Sequence, residues 1–135
     1  MKVVVDTNVV AYHLLGTTRF AAEAAECLES AEEILAPALW EAELTNVIWM
    51  AVRASVLPAR EAPSRLALAA RLGVQSVPIR TLWHGALVRS VRSGVAVYDT
   101  LFVELADRER LTLATFDQKL IQAFPALAKR PRNSG

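Results

Sequence analysis

The sequence contains one cysteine, Cys27, so no disulfide can form within the chain, and its apolar neighbours Ala24 and Leu28 mark it as a packing residue. Six prolines and five glycines among 135 residues are too few for a linker-rich or low-complexity protein. The longest apolar run, Val47 to Val52, falls far short of the roughly 20 residues that cross a bilayer. No long apolar stretch follows Lys2, so neither a secretory signal nor membrane contact is expected, and the expected location is the cytoplasm. The formal net charge is only +1. That removes the broad basic footprint of many nucleic-acid-binding domains, although a local patch can exist in a neutral protein.

What is present is apolar material, 53% of the residues, enough for one core in a chain of this length. Val3–Val5 read as a strand buried on both faces, after which Thr7 or Asn8 can cap a short helix through Leu15. A helix from Arg19, a short strand ending at Pro37 and a long amphipathic helix from Ala38 follow. Pro58 and Pro63 punctuate the most loop-like stretch before a helix that stops at Gly73. Another short strand lies at 76–79, and a helix runs to Gly94. A helix from Tyr98, a strand at 111–115 and a last helix up to Phe124 complete the series. Short apolar strands alternating with helices predict an α/β fold, a parallel sheet of four or five strands with helices on both faces. Residues 1–124 are expected to form a single domain, and 125–135 a frayed tail. No internal repeat breaks this plan.

In parallel sheets ligands gather at the carboxyl ends of the strands, and the first strand delivers Asp6 to such an end. Asp6 is equally readable as a helix N-cap. Glu43 lies beside a stripe of Trp40, Leu44, Val47 and Ala51, and helix geometry alone does not separate it from Glu41. Asp99 sits in the first turn of a helix with an apolar face of Tyr98, Leu101, Phe102, Leu105 and Ala106; there the helix dipole favours its ionised form. Asp117 follows a strand, two residues after Thr115, whose hydroxyl could orient a neighbouring carboxylate; capping explains Asp117 equally well. If these acids converge, they repel and raise one another's pKa values unless a hard divalent cation neutralises them.

The segments VVVDTNVV, APALWEAELTNVIW, VAVYDTLFVELA and LATFDQKL together resemble a PIN-domain ribonuclease of the VapC-like toxin branch of toxin–antitoxin pairs, over residues 1 to about 124. The resemblance implies a PIN-like fold and maps the family's acidic quartet onto Asp6, Glu43, Asp99 and Asp117. It prefers Glu43 to Glu41 because Asn46 completes an E-x-x-N element. Thr115 matches a hydroxyl position near the metal, with Thr7 and Asn8 as further supporting candidates. The implied activity is endonucleolytic cleavage of single-stranded RNA with Mg²⁺ or Mn²⁺, held by Asp6 and Asp99 with Glu43 and Asp117 as further candidates. The implied partners are the RNA, a second copy in a homodimer, and a cognate antitoxin that blocks the active-site groove.

Only two histidines are present, His13 and His84, in no spacing that suggests a metal-free acid/base ribonuclease. Arg80, Arg89, Arg92 and Lys119 are candidates for a basic rim. Trp49 falls opposite the core stripe, so another helix of the chain, a second subunit or an antitoxin is expected to cover it. The competing enzyme readings are a Mg²⁺-dependent phosphatase, which position 8 disfavours with Asn in place of the second acid of D-x-D, and a phospho-acceptor domain, which lacks its acidic pair. A PIN-like scaffold that only binds partners would be expected to lack one of the four acids.

Overall fold

A computed structural model describes residues 1–17 and 19–131. Strand β1 (Lys2–Val5) leads into α1 (Thr7–Leu15), then α2 (Ala21–Ser30), β2 (Glu33–Pro37) and α3 (Leu39–Arg53). Helix α4 (Ala62–Arg71) and β3 (Gln75–Val77) precede the hairpin of α5 (Trp83–Ser93) and α6 (Val97–Glu109). The chain closes with β4 (Leu113–Ala114), α7 (Gln118–Ala123) and β5 (Ala128–Lys129).

The five strands form one parallel sheet in the order β3-β2-β1-β4-β5. Val3, Val4 and Val5 are all buried, so β1 is covered on both faces, as its unbroken β-branched run predicts. Fully burying each such side chain is worth about 1.5–3 kcal/mol, which ties the central strand firmly into the core. The chain builds outward from β1 through β2 to β3, then returns to the other side of β1 for β4. The crevice beyond β1 and β4 is therefore the topological switch point, where parallel α/β sheets bind ligands.

Several expectations need correction. The tail is not frayed from residue 125: Ala128–Lys129 pair with β4, and Arg130 forms a two-pronged ion pair with Glu23 on α2. Residues 132–135 lie outside the described residues. The buried stripe of α3 is Trp40, Leu44, Ile48 and Ala51; Ile48 replaces Val47, which turns toward a cleft instead. Tyr98 is exposed: in the first turn of α6 it is Val97 that packs against the core, and Thr100 is the first buried residue. Trp49 is 52% exposed, so no helix of the described chain covers it; the Arg53 guanidinium rests over its ring at 5.0 Å.

Candidate active site

Beyond the ends of β1 and β4 lies a cleft of about 310 Å³ lined by Asp6, Thr7, Asn8, Ala11, Tyr12, Glu43, Val47, Asp99 and Asp117. All four acids singled out from the sequence thus face one space, although they come from α1's entrance, α3, α6 and α7's entrance. A larger hollow of about 680 Å³ lies along the β1–β4–β5 edge, but among the described residues no carboxylate lines it. The concentration of acids, not the volume, marks the candidate site.

Asp6 occupies the N-cap position of α1 in extended conformation, yet its side chain makes no capping hydrogen bond. The capping explanation therefore fails for Asp6. Its Oδ2 instead accepts from the Thr115 hydroxyl at 2.8 Å and, more weakly, from Asn8 Nδ2 at 3.4 Å. The parallel register makes this contact possible: Val5 pairs with Ala114, and the Asp6 N–H donates to the Ala114 carbonyl, setting residue 6 beside residue 115. Asn8 Oδ1 also accepts from the Phe116 N–H. Glu43 Oε1 accepts from the Thr7 hydroxyl at 2.7 Å, which ties α3 to the start of α1. Asp117 does cap its helix, with Oδ1 accepting from the N–H groups of Lys119 and Leu120, while it also lines the cleft.

Charge is left uncompensated here. Burial pushes the Asp6 carboxyl up from 3.8 to about 7, opposed by the Thr115 hydrogen bond and reinforced by the nearby Asp99 and Glu43 charges. Burial also raises Glu43, against the Thr7 hydrogen bond and with repulsion from Asp99. Asp99 is raised first by burial and then by Asp117. Among the described residues no salt bridge reaches any of the four.

The donor set is oxygen only, which fits a hard divalent cation. As placed, the side chains do not close on one point: among the described residues no three of His, Cys, Asp or Glu form a ready cation-holding group. Like charges around one cavity gain by standing apart, so closing on an ion requires the ion.

A PIN-domain family model matches residues 3–125. The chain belongs to the PIN-domain family. Within it, the chain is 30% identical over 131 residues to Ribonuclease VapC3 of Pyrobaculum aerophilum, covering 94% of this chain and 98% of that relative. That places it in the VapC branch of the PIN proteins. Similar solved structures agree on the fold. A toxin–antitoxin complex from Klebsiella pneumoniae has a TM-score of 0.66 at 20% identity, covering 96% of this chain and 98% of that one. VapBC2 from Rickettsia felis, bound to a promoter DNA fragment, gives 0.66 at 16% with the same coverage. FitAcB from Neisseria gonorrhoeae gives 0.59 at 23%, covering 96% and 97%. Among the described residues, no helix is long and apolar enough to cross a membrane.

Thr7, Asn8 and Thr115 all fall at the site, in contact with the acids. Asn46 does not line the cleft; it faces the shallow groove beside Trp49. None of Arg80, Arg89, Arg92 and Lys119 lines the cleft either, and Arg89 is engaged with Glu104 and Asp107. Tyr12, Ala11 and Val47 line it without having been singled out from the sequence. The signal was periodicity: Ala11 and Tyr12 lie one helical turn after Thr7 and Asn8, and Val47 one turn after Glu43.

Proposed function

We propose that this chain is a divalent-metal-dependent endoribonuclease that cleaves single-stranded RNA, acting in the cytoplasm as a VapC-like toxin held in check by a cognate antitoxin. The observation that carries the reading is a desolvated Asp6 carboxylate, held by Thr115 and facing Glu43 and Asp99, with no basic side chain lining the cleft among the described residues. The name of the VapC3 relative supplies the ribonuclease activity, and solved toxin–antitoxin complexes of the same fold supply the kind of partner.

Asp6 and Asp99 would be the principal holders of the ion, Mg²⁺ or Mn²⁺, with Glu43 and Asp117 completing the set. A cation bound there would acidify a water and offset charge building on the phosphate oxygens. The chain's own residues prepare that chemistry. Thr115 and Asn8 fix the rotamer of Asp6, and Thr7 fixes that of Glu43. Asp117 commits Oδ1 to its helix, and Oδ2 accepts no hydrogen bond from the described residues, so it can orient an attacking water and take its proton.

For the partners, two exposed apolar faces are on offer. Trp83, Leu87 and Val91 recur every four residues on α5, a face suited to a second copy in a homodimer. Trp49 and Met50 on α3 continue away from the Glu43 side of the cleft, a face suited to an antitoxin segment. The deciding experiment is cleavage of labelled single-stranded RNA with Mn²⁺, with a chelator control and the Asp6→Asn variant. Equal activity of Asp6→Asn, or none from the wild type, would overturn the reading; the second outcome would favour a binding scaffold.

A further inference from the structure

An acidic cleft in a chain of net charge +1 repels RNA, and among the described residues no basic side chain lines it, so affinity for the substrate has to come from another source. Among the described residues, Tyr12 is the single aromatic that lines the cleft. It does not stand alone. Its ring meets Phe20 at 5.0 Å between centroids and Phe116 at 5.2 Å, and Phe20 meets Phe116 at 4.8 Å. The three rings come from α1, the residue preceding α2, and the loop between β4 and α7, so each fixes the others.

The back of this cluster is closed by Arg130. Its guanidinium lies 5.3 Å from the Phe20 centroid and 5.7 Å from that of Phe116, and Glu23 holds it through bonds of 2.9 and 2.7 Å. Arg130 is thereby neutralised and acts as a support. Arg19, exposed over the Phe20 ring at 5.1 Å, carries no salt bridge to the described residues.

Packing alone would account for three touching rings, since Tyr12 and Phe116 border the main core and Phe20 rests on both. Their position argues for more. Phe116 stands between Thr115, the hydrogen-bond donor to Asp6, and Asp117, and its own N–H bonds Asn8. The loop that sets the acids therefore also sets the aromatic cluster. All three rings stay half-buried, and Tyr12 turns toward the cleft.

We infer that Tyr12, backed by Phe20 and Phe116, is a stacking ledge for one base of single-stranded RNA next to the scissile phosphate. This rests on the nuclease reading above. Stacking on an aromatic ring is tolerant of base identity and requires an unpaired base, so the ledge selects single strands over duplexes. Arg19 lies beside it to meet a neighbouring phosphate.

The test is steady-state cleavage of a labelled oligouridylate with Mn²⁺, alongside oligonucleotides made abasic at one position at a time. Tyr12→Ala is expected to raise KM about 5–150-fold, with the loss in KM and not in kcat, and Tyr12→Phe to restore it. One abasic position near the cleaved bond should raise the wild-type KM by a similar factor and add little to that of Tyr12→Ala. A folded Tyr12→Ala variant with KM within about twofold of wild type would overturn the ledge, as would fully additive penalties. If Tyr12→Ala does not fold, the abasic series on the wild type decides, and a flat response overturns it. A wild type that cleaves no RNA removes the nuclease reading and the ledge together, whereas failure of the ledge alone leaves cleavage intact.

Discussion

Two clusters of carboxylates in this molecule are treated in opposite ways. Between α5 and α6, Glu104 is gripped by Arg89 Nε and Arg108 Nη2, each at 3.1 Å, while Arg89 also reaches Asp107. Gly85 permits the approach, because a methyl group there would overlap the Glu104 carboxylate. At the ends of β1 and β4, by contrast, Asp6, Glu43 and Asp99 are partly or wholly desolvated and receive hydroxyl or amide hydrogen bonds at most, with no arginine or lysine in salt-bridge range among the described residues. A carboxylate that only has to hold helices together is neutralised within the chain. One left buried and uncompensated waits for a charge from outside.

The comparison breaks most visibly in activity. Asp6→Asn keeps the shape and the Thr115 contact but removes the charge, so cleavage with Mn²⁺ should fall by about 10³-fold or more. Asp99→Asn should do the same. Residual activity within about tenfold of wild type for either would mean that the cluster is not the reacting centre.

A second contrast concerns stability and pH in the presence of a chelator. Asp6 has a folded-state value of about 7 against an ordinary 3.8, so between those values the folded chain holds a proton that the unfolded chain releases. Folded stability must then decline as pH rises through that window and stay low above it, by an amount on the order of a few kcal/mol. A metal-free melting temperature lower at pH 8 than at pH 5, recovered by Mn²⁺, is the expected result. In Asp6→Asn the decline should flatten and the metal-free protein at pH 8 should gain stability. A wild-type melting temperature that rises from pH 5 to 8 under chelation would show that the charge is already compensated.

Much of this was legible in the sequence, and the failures are instructive. Val3–Val5 announced a two-sided strand because β-branched residues fill both faces, and Asp6 followed at its end. The quartet itself depended on family resemblance, since capping and ligation predict the same residue at a strand end; only the missing cap bond at Asp6 separates the two readings. Strand β5 was illegible: two residues, Ala128 and Lys129, carry no periodicity, and neighbouring backbone recruits them. Arg89 read as a rim residue because a helix pattern cannot reveal that the facing helix presents Glu104 and Asp107. Val47 and Ile48 exchanged roles by one position, about the error that a helical wheel makes where two faces meet.

The helix clamp provides the opposite test. Arg89→Met should cost about 1–3 kcal/mol of stability by stranding Glu104 with only Arg108. Cleavage per folded molecule should hold, because Arg89 is committed to structure. A loss of cleavage with unchanged stability would return Arg89 to the rim role that its position in the sequence suggested.

The smallest effect probes how the open cluster is kept ready. Thr7 is buried, and its hydroxyl donates to Glu43 at 2.7 Å while burial and Asp99 act to raise that carboxyl. Thr7→Val preserves the volume and removes the donor, leaving Glu43 free to rotate away from the cleft. Groups that orient a ligand in this way typically govern about 10–100-fold in metal affinity; with three other acids untouched, the low end, about tenfold, is expected for half-activation by Mn²⁺. Cleavage at saturating Mn²⁺ should recover most of its rate. Were Thr7→Val to reach half-activation at the wild-type concentration, Glu43 would hold its place without the Thr7 hydroxyl, and that hydrogen bond would be incidental.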